Sequence, residues 1–268
     1  MISPHCLSAS VRGRRPDSPL RRIHALRAWI VSLVVLLAAG TMAWAQGPAV
    51  IVIDPGHGGD DYGVRAPGGS LEKDINMMLA LDLKRVLEES PDIRVILTRE
   101  DDRRVTLKER GIVVNSAGAD LLISLHCAYA HQAGVDSFLV YFYQPDSREN
   151  GEFHELKRNM DGREVKMLPW DLAQLPAVPD SRDMAGILQI KLNTFFQRYS
   201  GTPIGEQLFL LGTVACPAIL LESCTLTNPE AEKRMLSAAY REEYCRRIRD
   251  AVQEFLRGRT RLTRREGS

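Results

Sequence analysis

The chain has 268 residues, 44% hydrophobic and 26% charged, which is enough to bury a sizeable core in one large domain or two small ones. It carries 35 basic and 34 acidic residues, and five cysteines with neither a CxxC pair nor the dense spacing of a disulfide scaffold. Six of the basic residues and one of the acidic ones fall within positions 1–45, leaving 29 and 33. A mildly acidic remainder has no overall pull toward nucleic acid.

Positions 1–45 read as a cleavable export signal. Six arginines (Arg12, Arg14, Arg15, Arg21, Arg22 and Arg27) precede the apolar run Ala28 to Ala39, and small residues close with Ala43-Trp44-Ala45. The run is shorter than the ~20 residues of a comfortable membrane span, so an uncleaved anchor is the minor alternative. No cysteine stands at the cleavage position, which argues against a lipoprotein. The protein is therefore expected outside the cytoplasm, in the periplasm or beyond, with no membrane span after cleavage. Cys127, Cys216, Cys224 and Cys245 remain after cleavage and read as small buried hydrophobes.

From Val50 onward strands and helices alternate. Val50–Ile53 is a β-branched strand, and Glu72–Glu89 carries apolar residues at 75, 78, 79, 83, 86 and 87, one face of a helix. Ile93–Thr98 reads as a strand. Thr106-Leu-Lys-Glu109 is a capping box opening a helix that ends near Gly118. Leu121–Leu125 and Phe138–Tyr143 are strands. The pattern then lapses over 144–180, a polar stretch with Pro169, Pro176 and Pro179 near its end, a length that marks a functional or regulatory segment. Ser181 is the expected N-cap of a helix whose stripe runs from Met184 to Tyr199. Leu208–Leu211 and Ala218–Leu221 read as strands, and Asn228-Pro229 opens one or two final helices to Leu256. The last twelve residues, 257–268, hold five arginines and read as a disordered tail. Alternating β and α with short links predicts an α/β domain over 46–256, its largely parallel sheet covered by helices on both faces.

Ligands gather at the carboxyl ends of strands in such sheets. Three strands deliver metal-competent or acid–base residues there: VIVIDPGH presents His57, LLISLH presents His126, and AILLE presents Glu222. Glu72, at the start of the helix after the glycine-rich loop, is a fourth. Two imidazoles and one carboxylate suit zinc, and a second carboxylate is then needed to move a proton. On spacing alone Glu72 and Glu222 could each fill either role. The bland readings are a loop histidine, a strand-edge histidine and a first-turn acid favourable to the helix dipole. Glu222 resists such a reading, because lone carboxylates seldom follow an apolar run without a partner. The loop DPGHGGDD matches neither phosphate-loop pattern, and its acids would repel phosphate. Asp54 is expected either to orient His57 or to cap the turn.

The succession IDPGHGGDDYG, LEKDIN, ILTREDD, LKERGIVVN, ADLLISLH and PAILLESCTLTNPEAE, spanning about Val50 to Leu256, resembles the zinc-dependent N-acetylmuramoyl-L-alanine amidase family of cell-wall hydrolases (type 3). The resemblance implies a twisted, mainly parallel six-stranded sheet. It further implies one zinc ion held by His57, Glu72 and His126, with Glu222 as the catalytic carboxylate. The reaction it implies is hydrolysis of the amide between N-acetylmuramic acid and L-alanine of peptidoglycan, in cell separation or wall remodelling. A monomer is expected. A wall-binding homologue without catalysis, and a zinc peptidase acting within the stem peptide, are the alternatives. Some members of that family occlude the cleft with a helix in the region corresponding to 144–180 until an activator protein displaces it. Two departures stand out: His126-Cys127-Ala128-Tyr129 where the family has Ala then Asn or Asp, and Ser223-Cys224-Thr225 after Glu222. Cys127 and Cys224 are expected to approach one another beside the metal, as a disulfide or as packing.

Overall fold

In a computed structural model the structure describes residues 47–132, 134–145, 156–160, 163–167, 174–196 and 201–266. The chain divides into two units, Met1–Gly47 and Pro48–Ser268, and the architecture below belongs to the second. The signal and anchor readings of positions 1–45 lie outside the described residues. Among the described residues no helix is long and apolar enough to cross a membrane.

β1 (Ala49–Pro55), β3 (Leu121–Ala128) and β8 (Ala218–Thr225) are the apolar runs of the sequence, and they form the centre of a six-stranded sheet in the order β2-β1-β3-β8-β4-β7. Strands buried on both faces need no polar alternation, and Ile51–Ile53, Leu121–Ile123 and Ala218–Ile219 are all fully buried. Edge strand β2 (Ile93–Leu97) alternates instead, with Arg94 exposed between buried Ile93 and Val95. β1, β2, β3 and β8 are mutually parallel. β4 (Leu139–Tyr143) runs antiparallel to β8, and the three-residue β7 (Ile204–Glu206) runs parallel to β4. The sheet is thus mixed and mainly parallel, as expected.

One face carries the larger core. There α1 (Glu72–Leu87), α3 (Val178–Phe196) and α6 (Ala238–Glu266) bury Leu79, Leu83, Leu188, Leu192, Ile248 and Val252 against Ile51, Ile53, Ile123 and Leu221. Phe138, Phe195, Phe196, Tyr240 and Tyr244 close its seam, with ring centroids 5.1–6.3 Å apart. The other face is thinner: Val52, Leu122 and Ala218 are covered by Val114 of α2 (Leu107–Ser116) and by Leu210 and Leu211 of α4 (Phe209–Gly212). Two of the three caps read from sequence are present. Thr106 and Glu109 satisfy each other's backbone donors at the start of α2, and Asn228 accepts from the N–H groups of Glu230 and Ala231 at the start of α5 (Pro229–Leu236).

Four elements differ from the sequence reading. Leu208–Leu211 is not a strand. A run of four apolar residues has no period, and here it makes the helical turn α4. Ser181 is not an N-cap: α3 begins at Val178 because proline is tolerated in a first helical turn, so Pro179 starts the helix rather than closing a loop. Ser181 is buried inside it, 2.6 Å from Gln174 Oε1, and its oxygen accepts the Ala218 N–H at 3.0 Å. Within 144–180 the structure places a hairpin, β5 (Leu156–Met160) with β6 (Arg163–Met167), and a 3-10 turn at Leu175–Ala177. The rest of 146–173 lies outside the described residues, and the expectation of an occluding helix lies there with it. Finally, α6 continues to Glu266, so positions 257–266 are helical rather than a disordered tail. Arg259 anchors this extension by pairing with Asp180 at 3.2 Å and donating to Asp120 O.

Candidate metal centre

β1 ends at Pro55, and the backbone leaves the sheet through Gly56, His57, Gly58 and Gly59. His57 has φ +61°, a left-handed conformation costing a non-glycine residue about 1–2 kcal/mol. Gly58 and Gly59 follow at +130° and +62°. Two buried guanidinium groups hold this turn. Arg110 of α2 donates to Pro55 O at 2.8 Å and His57 O at 2.7 Å, and Arg99 donates to Pro55 O and Gly56 O at 3.0 Å each. Three successive carbonyls therefore accept from arginine. Asp54 neither orients His57 nor caps the turn. It is buried, accepts from Thr98, Ser124 and Arg110, and balances the charge behind the loop. The residue that orients His57 is Asp61, whose Oδ1 lies 2.8 Å from His57 Nδ1.

Glu72 stands in the first turn of α1, 2% exposed. Its Oε2 accepts from Val64 N–H at 2.9 Å and its Oε1 from Cys127 N–H at 3.0 Å. The same Oε1 faces His57 Nε2 at 3.0 Å and His126 Nδ1 at 3.1 Å. Burial raises the pKa of this carboxyl, but hydrogen bonds from both imidazoles and two backbone amides outweigh it and hold the group far below the usual carboxylate range. The His126 ring lies over Gly56, where a β-carbon would sit 2.5 Å from its Nε2. Gly63 clears the other side, since a β-carbon there would lie 2.5 Å from Glu72 Oε2 and 2.7 Å from His57 Cδ2.

The donor atoms of His57, Glu72 and His126 all lie within 4.8 Å of one another. Ligand bonds of ~2.0–2.2 Å in a tetrahedron set donors about 3.3–3.6 Å apart, and Glu72 Oε1 stands close to that spacing from both imidazole nitrogens, at 3.0 and 3.1 Å. The site also attracts positive charge. Burial lowers the His57 pKa, yet hydrogen bonds and charge from Glu72 and Asp61 raise it overall. An imidazole whose other nitrogen is held by a carboxylate is the usual support of a zinc ligand. The residues present fit the ion.

Residues 51–254 match the family model described as N-acetylmuramoyl-L-alanine amidase. The chain belongs to this family. AmiA of Escherichia coli is 25% identical over 220 residues, 77% of this chain and 75% of AmiA. AmiC of Neisseria meningitidis is 26% identical over 219 residues, and the chain spans about half of its length, 52%. Among solved structures, the amidase of Clostridium difficile 630 superposes with a TM-score of 0.63 at 23% identity, covering 79% of this chain and 98% of that one. The CwlD amidase of Clostridioides difficile, solved in complex with the GerS lipoprotein, gives 0.62 at 22% identity, covering 78% and 98%.

In this amidase Glu222 stands directly across from His126 on the neighbouring parallel strand. Burial, with the charge of Glu72 adding to it, pushes the Glu222 carboxyl up to about 7, and its Oε2 is buried without a hydrogen-bond partner among the described residues. Just beyond, Ala128 pairs with Thr225, so Ser223 and Cys224 oppose the single residue Cys127: a β-bulge beside the metal donors. Cys127 Sγ and Cys224 Sγ are 3.8 Å apart, both buried and both free thiols, so they meet as packing. A cleft of about 350 Å³ opens from His57 and His126 toward the segment Arg104–Leu107. Sequence reasoning brought forward His57, Glu72, His126 and Glu222. It assigned no role to Asp61, Arg99 or Arg110, although both arginines stand in the segments ILTREDD and LKERGIVVN.

Proposed function

We propose that this protein is a zinc-dependent peptidoglycan amidase that hydrolyses the amide joining N-acetylmuramic acid to L-alanine. The observation that carries the reading is the convergence of His57, Glu72 and His126 beside Glu222, whose Oε2 has no hydrogen-bond partner among the described residues. His57 Nε2, Glu72 Oε1 and His126 Nδ1 would hold the ion. Zinc supplies Lewis-acid polarisation of the scissile carbonyl and acidifies water at neutral pH. Glu222 accepts a proton from the attacking water and returns it to the departing alanine nitrogen. Water's oxygen ends on the lactyl carbonyl carbon and its two protons are divided between the new acid and the new amine. Asp61 keeps the His57 ring turned toward the ion, and Arg99 and Arg110 keep its backbone in place.

Export by positions 1–45 would bring the enzyme to its polymeric substrate, and cell separation or wall remodelling is the role this chemistry serves. Because CwlD was solved bound to a lipoprotein, an activator protein is part of the proposal. Mass spectrometry of muropeptides after digestion of purified wall tests the reading. Free lactyl-muramic ends together with peptides beginning at L-alanine are expected. Cleavage inside the stem peptide would instead identify a peptidase. Zinc bound with no released peptide would identify a wall-binding homologue.

A further inference from the structure

The cleft beside the candidate metal donors has one exposed arginine among the described residues that line it. Arg110 also lines it, but that guanidinium is buried and committed to Asp54, Pro55 O, His57 O and Val105 O. The Arg104 side chain is 66% exposed and meets Asp60 at 2.9 Å, itself 69% exposed. Solvent-exposed pairs of this kind contribute about 0–1 kcal/mol, so the guanidinium is free to engage an arriving anion. Its planar fork matches a carboxylate with two parallel hydrogen bonds.

The wall that presents Arg104 is anchored on both sides. Asp102 accepts from Gly59 N–H at 2.8 Å and from Lys73 Nζ at 2.6 Å, and Arg99 Nη1 donates to Asp101 O at 3.2 Å. On the other side Thr106 is fixed by the capping box with Glu109. Arg104 therefore projects from a span of three residues between two fixed points, which lowers the ordering cost of binding. Next to it Val105 and the half-exposed Leu107 give the cleft an aliphatic side. An amino-acid residue that offers aliphatic carbon next to a free carboxylate fits both features.

We propose that Arg104 is a specificity-determining residue, and that the cleft between His57 and Leu107 takes the peptide arm of the substrate with a free carboxylate bound by Arg104. This rests on the amidase reading and assigns the peptide to this side of the scissile amide. The test compares two N-acetylmuramoyl dipeptides that differ only in whether the α-carboxyl of the second residue is free or amidated. The wild-type protein is expected to favour the acid. In Arg104→Gln the acid-to-amide ratio of kcat/KM should fall about 10- to 100-fold, with the loss in KM for the acid, and Arg104→Lys should keep part of it. Asp60→Asn, which releases Arg104, should raise the ratio by up to about fivefold. Zinc content and the thermal midpoint of each variant guard against misfolding. An unchanged ratio in Arg104→Gln, or a lower ratio in Asp60→Asn, overturns the proposal. Cleavage of both compounds by the wild-type protein with no preference likewise overturns it, whereas a wild-type protein that binds zinc and cleaves neither compound refutes the amidase reading itself.

Discussion

Replacing Gly56 by alanine adds one methyl group at the point where the His126 ring rests on the backbone. Built in place, the new β-carbon lies 2.5 Å from Nε2 and 2.7 Å from Nδ1, with Cε1 closer still. Ordinary contact begins near 3.4 Å, so the ring must retreat by about 1 Å. The backbone cannot yield instead, because Gly56 N–H donates to Leu125 O at 2.9 Å and Gly56 O accepts from buried Arg99. Metal–ligand distances tolerate only about ±0.2 Å, so the variant loses His126 as a donor. Losing a polar group that merely supports a ligand costs ~10- to 100-fold in metal affinity, and losing a ligand should cost at least the upper end of that range. The fold should suffer less, about 1–3 kcal/mol for the overpacked site, because the His126 side chain is 24% exposed and can turn outward. Competition against a chromophoric chelator measures zinc affinity, and thermal unfolding of the metal-free protein measures stability. Gly186→Ala is the control: nothing lies within 4 Å of its β-carbon inside α3, so it should leave zinc binding unaltered and stabilise by about 1 kcal/mol. Zinc affinity in Gly56→Ala within threefold of the parent would refute the steric reasoning.

Glu222→Gln should retain zinc and lose about 10²- to 10⁴-fold in kcat, read by dye release from labelled wall; near-normal turnover would remove Glu222 from the proton-transfer role. Glu232 is buried, and its carboxylate accepts from the N–H groups of Gly68 at 2.7 Å and Ser70 at 3.1 Å. Burial raises its pKa, but these bonds and one from the Ser70 side chain outweigh it and lower the value in the folded protein. Its stabilisation is therefore present above the ordinary glutamate pKa of ~4.3 and fades as pH falls through the depressed folded value. Glu232→Gln should cost about 1–2 kcal/mol in urea melts at pH 7, with the gap narrowing in acid; a gap independent of pH would contradict this. Thiol titration of a denatured protein spanning residues 46–268 should find four free groups, whereas two would mean that Cys127 and Cys224 are bonded.

Much of the site was legible because strand ends and glycines announce it. His57 and His126 close apolar runs, Glu222 follows one, and Glu72 starts a well-patterned helix. What was not legible depends on partners far apart in the chain. Arg110 reaches His57 O from 53 positions away and Arg99 reaches Gly56 O from 43, so nothing local distinguishes them from solvated charges. Asp61 stood in the quoted octet, but only the turn made by Gly58 and Gly59 brings it back onto the His57 ring. The strand reading of Leu208–Leu211 failed because four apolar residues carry no period. Ser181 misled because the serine that looked like a cap instead bridges Gln174 and β8 from within the helix.

The three candidate metal donors come from the loop after β1, from α1 and from β3, within the first half of the described chain, whereas Glu222 comes from β8, which lies between β3 and β4. The candidate ligands are thus gathered by the pairing of β1 with β3 and the packing of α1, whereas Glu222 joins them only through the pairing of β8 with β3. A change confined to the β3–β8 register would move Glu222 away from His126 and leave the three donors where they are.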